Sequence, residues 1–207
     1  MDKTKTEIRT FNFDVRAEQD EKHGNMLTGR PIVFDERTNL GWYDEIIENG
    51  ALDDADLKDV RFLVNHNTDM IPLARSRNNN DNSTMQLSID EKGMGIRVDL
   101  DTENNAEAKS LYSAVDRGDL DGMSFMFSVD GDKWDDIESD HPTRTITKIS
   151  RVLEVSAVTF PAYKATSISA RGLDCTLENA QSSLENAKAE ARAIERKKQK
   201  IRILSEV

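Results

Sequence analysis

The stretch Asp121-Gly122-Met123-Ser124-Phe125-Met126-Phe127-Ser128-Val129 alternates with a period of two. That period puts Met123, Phe125, Phe127 and Val129 on one face and Gly122, Ser124, Met126 and Ser128 on the other, which is the pattern of a strand laid against a core. Ser124 is a small hydroxyl inside a run of large apolar side chains. It reads either as a core serine bonded to a neighbouring carbonyl or as a nucleophile held on rigid backbone.

Segments on either side extend a mainly β pattern. Ala106 to Arg117 has helical spacing, with Ala108, Leu111, Tyr112 and Val115 on one side and Gly118 as a stop. Met85 to Ile89 and Gly95 to Leu100 form a hairpin around Glu91-Lys92-Gly93. Val60 to Val64 is a strand ending in Asn65-His66-Asn67, and Asp53 to Lys58 is a short helical turn before it. Leu27 to Phe34 is a strand in which Pro31 marks an edge or a bulge. Glu7 to Val15 is another, and the polar stretch Arg16 to Asn25 reads as a loop. After the 121–129 strand, the acidic segment Asp130 to Asp140 reads as a loop, Thr143 to Val152 and Leu153 to Thr159 as two strands, and Pro161 as a break.

At 207 residues the chain suits one domain with an appendage, since a core of ordinary size uses about 150. A net charge of −11 argues against a nucleic-acid or anionic-membrane partner, because both require a basic face. Protein partners are expected. The single cysteine, Cys175, allows no disulfide within the chain, and no run approaches the ~18 apolar residues of a membrane span, so an intracellular protein is expected.

The last thirty residues differ in kind. Leu177, Leu184 and Ala191 share one heptad position and Ala180, Ala187, Ile194 and Ile201 its partner, a thin coiled-coil seam. Thr176 to Val207 carries a net charge of +2, leaving −13 on the preceding 175 residues. A division into residues 1–173 and a charged helix over 174–207 follows, the helix either packing on its own domain or docking on a partner.

Three residues stand out for chemistry. His66 follows an apolar strand, where rigid backbone supports a side chain open to substrate, whereas His23 and His141 lie in hydrophilic stretches. Glu154 is flanked by apolar residues on both sides, and a carboxylate there needs a partner. Ser124, His66 and Glu154 can serve one another as nucleophile, base and orienting acid, with Asp69 as the other candidate for the acid. Neither zinc spacing nor a calcium loop nor a phosphate-binding glycine loop occurs, so no metal or cofactor is expected.

Six segments in order carry a resemblance to a known family. They are Leu27-Thr28-Gly29-Arg30-Pro31-Ile32-Val33-Phe34, Glu45 to Leu52, Phe62-Leu63-Val64-Asn65-His66-Asn67, Ile71-Pro72-Leu73-Ala74-Arg75, Gly122 to Phe127, and Leu153 to Tyr163. Over residues 8 to 170 the chain resembles the prohead proteases of tailed bacteriophages, serine peptidases of the HK97 type that are related to herpesvirus assemblins. It departs from them at Met126 and Ala74, where glycine is usual. The resemblance implies an α+β, mainly β fold: a small antiparallel β-barrel surrounded by helices, with a C-terminal helical tail. It also implies a serine endopeptidase acting inside the immature capsid in the host cytoplasm. Substrates would be the scaffold protein or a delta-type extension, the major capsid protein and the protease itself, and homo-oligomers are possible in such a setting. In assemblins the third triad member is a histidine, so the resemblance places Ser124 and His66 more directly than Glu154. A second reading, favoured by Met126 and Ala74, is a catalytically silent scaffolding protein with the same fold.

Overall fold

Phe62, Phe125 and Phe127 are fully buried in one apolar cluster shared by strands and the first helix. The computed structural model describes residues 5–11, 15–21, 23–159 and 170–205. In chain order its elements are β1 (Lys5–Phe11), β2 (Arg16–Asp20), β3 (Gly24–Val33), β4 (Thr38–Asn39), β5 (Asp44–Ile47), β6 (Asp59–Val64), β7 (Ala74–Arg77), β8 (Met85–Asp90) and β9 (Gly93–Asp99), then α1 (Ala106–Asp116), β10 (Gly122–Asp135), β11 (Thr143–Val158) and α2 (Ala170–Ser205).

Two sheets enclose the cluster. The larger runs β1-β10-β11-β5-β4, with β6 also on β11 and β7 on β6, and the smaller runs β2-β3-β9-β8. Strand β11 is the axis of the larger sheet. β10 pairs with it antiparallel, while β5 and β6 take its other edge in parallel at Thr143–Ile146 and Glu154–Ala157. Parallel neighbours need a long crossover, which the excursion from β6 through the smaller sheet, α1 and β10 supplies. The larger sheet is therefore mixed, a correction to the wholly antiparallel arrangement expected. Among the described residues the ladders form two sheets and no closed ring of strands. The two sheets approach each other between β7 and the start of β8. There the backbone N–H groups of Arg75 and Arg77 donate to the hydroxyls of Thr84 and Ser83, each at 2.9 Å, in place of a neighbouring strand.

Local sequence explains most of the elements. In the β8–β9 hairpin Gly93 has φ +136°, and a Cβ there would stand 2.0 Å from the Ile32 carbonyl oxygen. Only glycine fits. The β3–β9 register slips between Gly29 and Ile32, which absorbs Pro31 and its missing N–H in a bulge. Asn105 caps α1 by accepting from the backbone N–H groups of Glu107 and Ala108, and Gly118 ends it at φ +73°. Ala108, Leu111 and Val115 turn from α1 into the core.

Other stretches differ from expectation. Arg16–Asp20 is a strand, because one face of this edge segment is solvated and its backbone pairs with β3. The acidic run through Asp135 continues β10, carried by the ladder to β11 across several register shifts. Residues 143–158 form one strand, whereas the 53–58 stretch makes turns and a single bridge from Asp56 to Arg151 in place of helix. Pro161 lies outside the described residues.

The long helix is two things in succession. Thr176, Ala180 and Leu184 are buried where α2 lies against β1 and, less extensively, β10. The Thr176 hydroxyl accepts from the Ile8 backbone N–H at 3.2 Å, and Ser183 accepts from the Trp134 indole N–H at 3.0 Å. Farther along, Ile194 and Ile201 are exposed.

Candidate active site

Residues on four strands meet at Ser124. Thr10 on β1 faces Ser124 on β10, Ser124 faces Ser156 on β11, and Ser156 faces Leu63 on β6. Just past the end of β6 the chain turns sharply through Asn65 (φ +52°) and His66 (φ +55°), both in the left-handed region that non-glycine residues rarely adopt. This turn swings the imidazole back over the sheet. His66 Nε2 lies 2.6 Å from Ser124 Oγ, and Nδ1 lies 2.5 Å from Glu154 Oε1. The three residues named from the sequence thus form one hydrogen-bonded line. Asp69 is exposed in the loop beyond, where its backbone N–H donates to the Asn67 side chain.

Ser124 is fully buried and has three polar neighbours. Thr10 Oγ1 is 2.8 Å away and donates to Ser124 Oγ, while the Arg9 carbonyl oxygen, 2.7 Å away, accepts from it. Its single hydroxyl proton has two acceptors, Arg9 O and His66 Nε2, and points at one of them at a time. A backbone carbonyl and an imidazole nitrogen thus compete for the Ser124 hydroxyl. Glu154 is buried as well, and its second oxygen accepts from the Ser156 hydroxyl at 2.6 Å.

The Arg9 side chain leaves Ser124 and enters a buried ionic network. Glu7, Arg9, Glu45 and Arg144 are each no more than 3% exposed. Arg9 donates to both Glu45 oxygens and, at 2.6 Å, to Glu7. Arg144 donates to Glu7 at 2.8 and 3.0 Å, to Glu45 at 3.2 Å and to Asp132 at 2.6 Å. Asp132 also accepts from Ser183 of α2 at 2.7 Å, so the network joins the helix to the strand that touches the nucleophile. Burial pushes the Glu7 carboxyl up, but the charges and hydrogen bonds of Arg9 and Arg144 outweigh it and hold Glu7 below the usual carboxylate range. Burial likewise works against the charged forms of Arg9 and Arg144, and the carboxylates overcome it. Tyr43, buried beside them, is pushed up to about 12 by desolvation first of all.

A groove of about 530 Å³ opens beside the histidine. Asn65 and Asn67, on either side of His66, form part of its wall, and Val64, Met70, Leu111 and Leu120 give it an apolar floor. His23 and His141 lie elsewhere: His141 Nε2 is 2.8 Å from Asp44 on the surface, and His23 Nδ1 is 3.3 Å from Asp99. Among the described residues no cluster of three or more His, Cys, Asp or Glu is placed to hold a metal ion.

Sequence reasoning missed Thr10, Ser156 and the ionic network. Ser156 had a signal, since it stands two residues from Glu154 on one strand and so shares its face. The network had none, because Glu7 and Arg144 are 137 residues apart and each reads alone as an ordinary surface charge.

Comparison with known proteins adds a separate line. Residues 11–180 match the family model of the caudovirus prohead serine proteases, Peptidase S78. The prohead protease of Enterobacteria phage HK97 is 31% identical over 170 residues, which cover 79% of this chain and 68% of that protein. Among solved structures, the bacteriophage T4 capsid assembly protease matches 75% of this chain and 99% of its own, at 13% identity and a TM-score of 0.40.

Proposed function

From the premise that this chain belongs to the caudovirus prohead serine proteases, we propose that it cleaves peptide bonds with Ser124 as nucleophile, His66 as base and Glu154 as orienting acid. The observation that carries this reading is the unbroken line from Ser124 Oγ through both imidazole nitrogens to Glu154, at 2.6 and 2.5 Å. His66 Nε2 takes the hydroxyl proton as Ser124 Oγ attacks the scissile carbonyl carbon, and then gives it to the leaving amine as the C–N bond breaks. Water repeats the sequence on the acyl-enzyme and releases the acid. Glu154 accepts the Nδ1–H throughout, fixing the tautomer and stabilising the imidazolium that forms between the two transfers. For this the Ser124 proton turns from the Arg9 carbonyl to His66. The apolar groove beside His66 suits side chains of an extended substrate segment.

The substrates under this reading are the scaffold protein or delta-type extension, the major capsid protein and the chain itself, met inside the immature capsid in the host cell. The exposed basic end of α2, with Lys197, Lys198, Lys200 and Arg202 after Arg196, is a suitable docking element for an acidic partner segment. The test is to assemble the phage's own capsid protein with this chain and follow its mass by mass spectrometry. Cleavage by wild type and none by Ser124→Ala is the expected result; an uncut capsid protein with folded wild-type enzyme overturns the assignment. One observation favours the silent-scaffold reading: Ser124 is wholly buried with its hydroxyl bonded to Arg9, a state from which no attack occurs.

A further inference from the structure

We propose that Ser156 is a positioning residue for this chemistry, a hydroxyl that ties the Glu154 carboxylate to the His66 backbone so that acid and base are set by one group. The proposal rests on the triad reading above and goes beyond it. Ser156 Oγ donates to Glu154 Oε2 at 2.6 Å and accepts from the His66 backbone N–H at 3.1 Å. Since Glu154 Oε1 faces His66 Nδ1, the four groups close a ring: His66 N–H to Ser156, Ser156 to Glu154, Glu154 to the ring of the same His66.

Physical reasons make such a tie necessary here. A glutamate has a third side-chain torsion that is broad and nearly two-fold, so a carboxylate fixed at one oxygen alone swings about the end of its chain. Donation to the second oxygen stops that rotation. The His66 backbone needs holding too, because two successive non-glycine residues in the left-handed region each cost about 1 kcal/mol or more. Asn65 is anchored by its N–H to Ala157 O at 2.9 Å and by its side chain to Thr159, and the His66 backbone N–H by the Ser156 hydroxyl at 3.1 Å. Ser156 is itself fully buried, so its hydroxyl costs stability unless it is hydrogen-bonded. Its place directly opposite Ser124 in the β10–β11 ladder puts the tie one strand from the nucleophile.

The test uses the full chain as wild type, Ser156→Ala and Ser156→Thr, with folding of each checked by circular dichroism. Two quantities are read: the rate at which a fluorophosphonate probe labels Ser124, alongside kcat and KM on a peptide, and the downfield proton resonance of the His66 imidazole N–H. In Ser156→Ala, labelling and kcat should fall about 10- to 100-fold with KM nearly unchanged, and the resonance should be lost or moved upfield. Ser156→Thr, which keeps the hydroxyl, should restore both. A folded Ser156→Ala protein with the wild-type labelling rate and resonance overturns the proposal, as does equal slowing by Ser156→Thr. If the wild type itself is never labelled, the triad reading has failed, and the resonance decides separately: its persistence in Ser156→Ala overturns the tie and its loss supports it.

Discussion

Ser124 donates its hydroxyl to the carbonyl oxygen of Arg9, 2.7 Å away on the neighbouring strand, while the imidazole that would take its proton stands 2.6 Å off. Two acceptors compete for one proton, and the Thr10 hydroxyl holds the oxygen between them from a third side at 2.8 Å. Strand β1 therefore takes part in the site even though no side chain on it is a candidate for the triad.

Removing the Thr10 hydroxyl with Thr10→Val should alter the reactivity of Ser124 without unfolding the sheet. The hydrogen bond is worth about 1 kcal/mol net, so fluorophosphonate labelling should slow by about five-fold. No change in labelling would show that Thr10 only fills space.

Breaking the buried network should cost far more than breaking a surface pair. Arg144→Met leaves Glu7 and Asp132 short of a cation, and loss of one partner from a buried ionic cluster costs about 3–5 kcal/mol. Asp119→Asn removes the exposed partner of Arg117 and should cost less than about 1 kcal/mol. Urea unfolding of the two variants should separate them clearly; equal midpoints would contradict the ranking.

The same network predicts acid sensitivity, with the sign set by Glu7. Its carboxyl titrates below its ordinary 4.5 in the folded protein, so the unfolded chain takes up the proton first as pH falls. The stability it contributes is present in full above that ordinary value and is lost as pH falls through the lower folded one. Unfolding free energy measured from pH 7 to pH 3 should drop over this window, and less steeply in Glu7→Gln. Parallel curves for the two proteins would remove Glu7 from the account.

The α2 helix should divide under truncation. A chain ending at Ala191 keeps Thr176, Ala180 and Leu184 in place and should fold as the full chain does. Ending at Leu173 removes all three, and Leu184→Ala alone should cost about 2 kcal/mol or more. Thermal unfolding of the two truncated chains and Leu184→Ala beside the full chain tests this. A Leu173 chain as stable as the full one would make the whole helix an appendage.

Much of this was legible in the sequence where local chemistry decides. The Glu91-Lys92-Gly93 turn, the Gly118 end of α1 and the bulge at Pro31 all follow from neighbouring residues. Ser124 and Glu154 were legible as candidates because each breaks the apolar pattern of its strand, and His66 because it stands just past the end of one. Strand β2 and the acidic half of β10 were not, since their pairing comes from β3 and β11 and leaves little apolar alternation behind. Parallel pairing on β11 and the Glu7–Arg144 contact depend on segments brought together by the fold, which no local period encodes.

The triad is tested most directly by reacting the folded protein with a fluorophosphonate and locating the adduct by peptide mass spectrometry, with Ser124→Ala, His66→Ala and Glu154→Gln beside wild type. Labelling should fall on Ser124 alone, vanish in Ser124→Ala, drop by several orders of magnitude in His66→Ala and less in Glu154→Gln, because the base does chemistry and the acid orients it. A folded wild-type protein with no adduct on Ser124, or one whose labelling survives His66→Ala, would contradict the account.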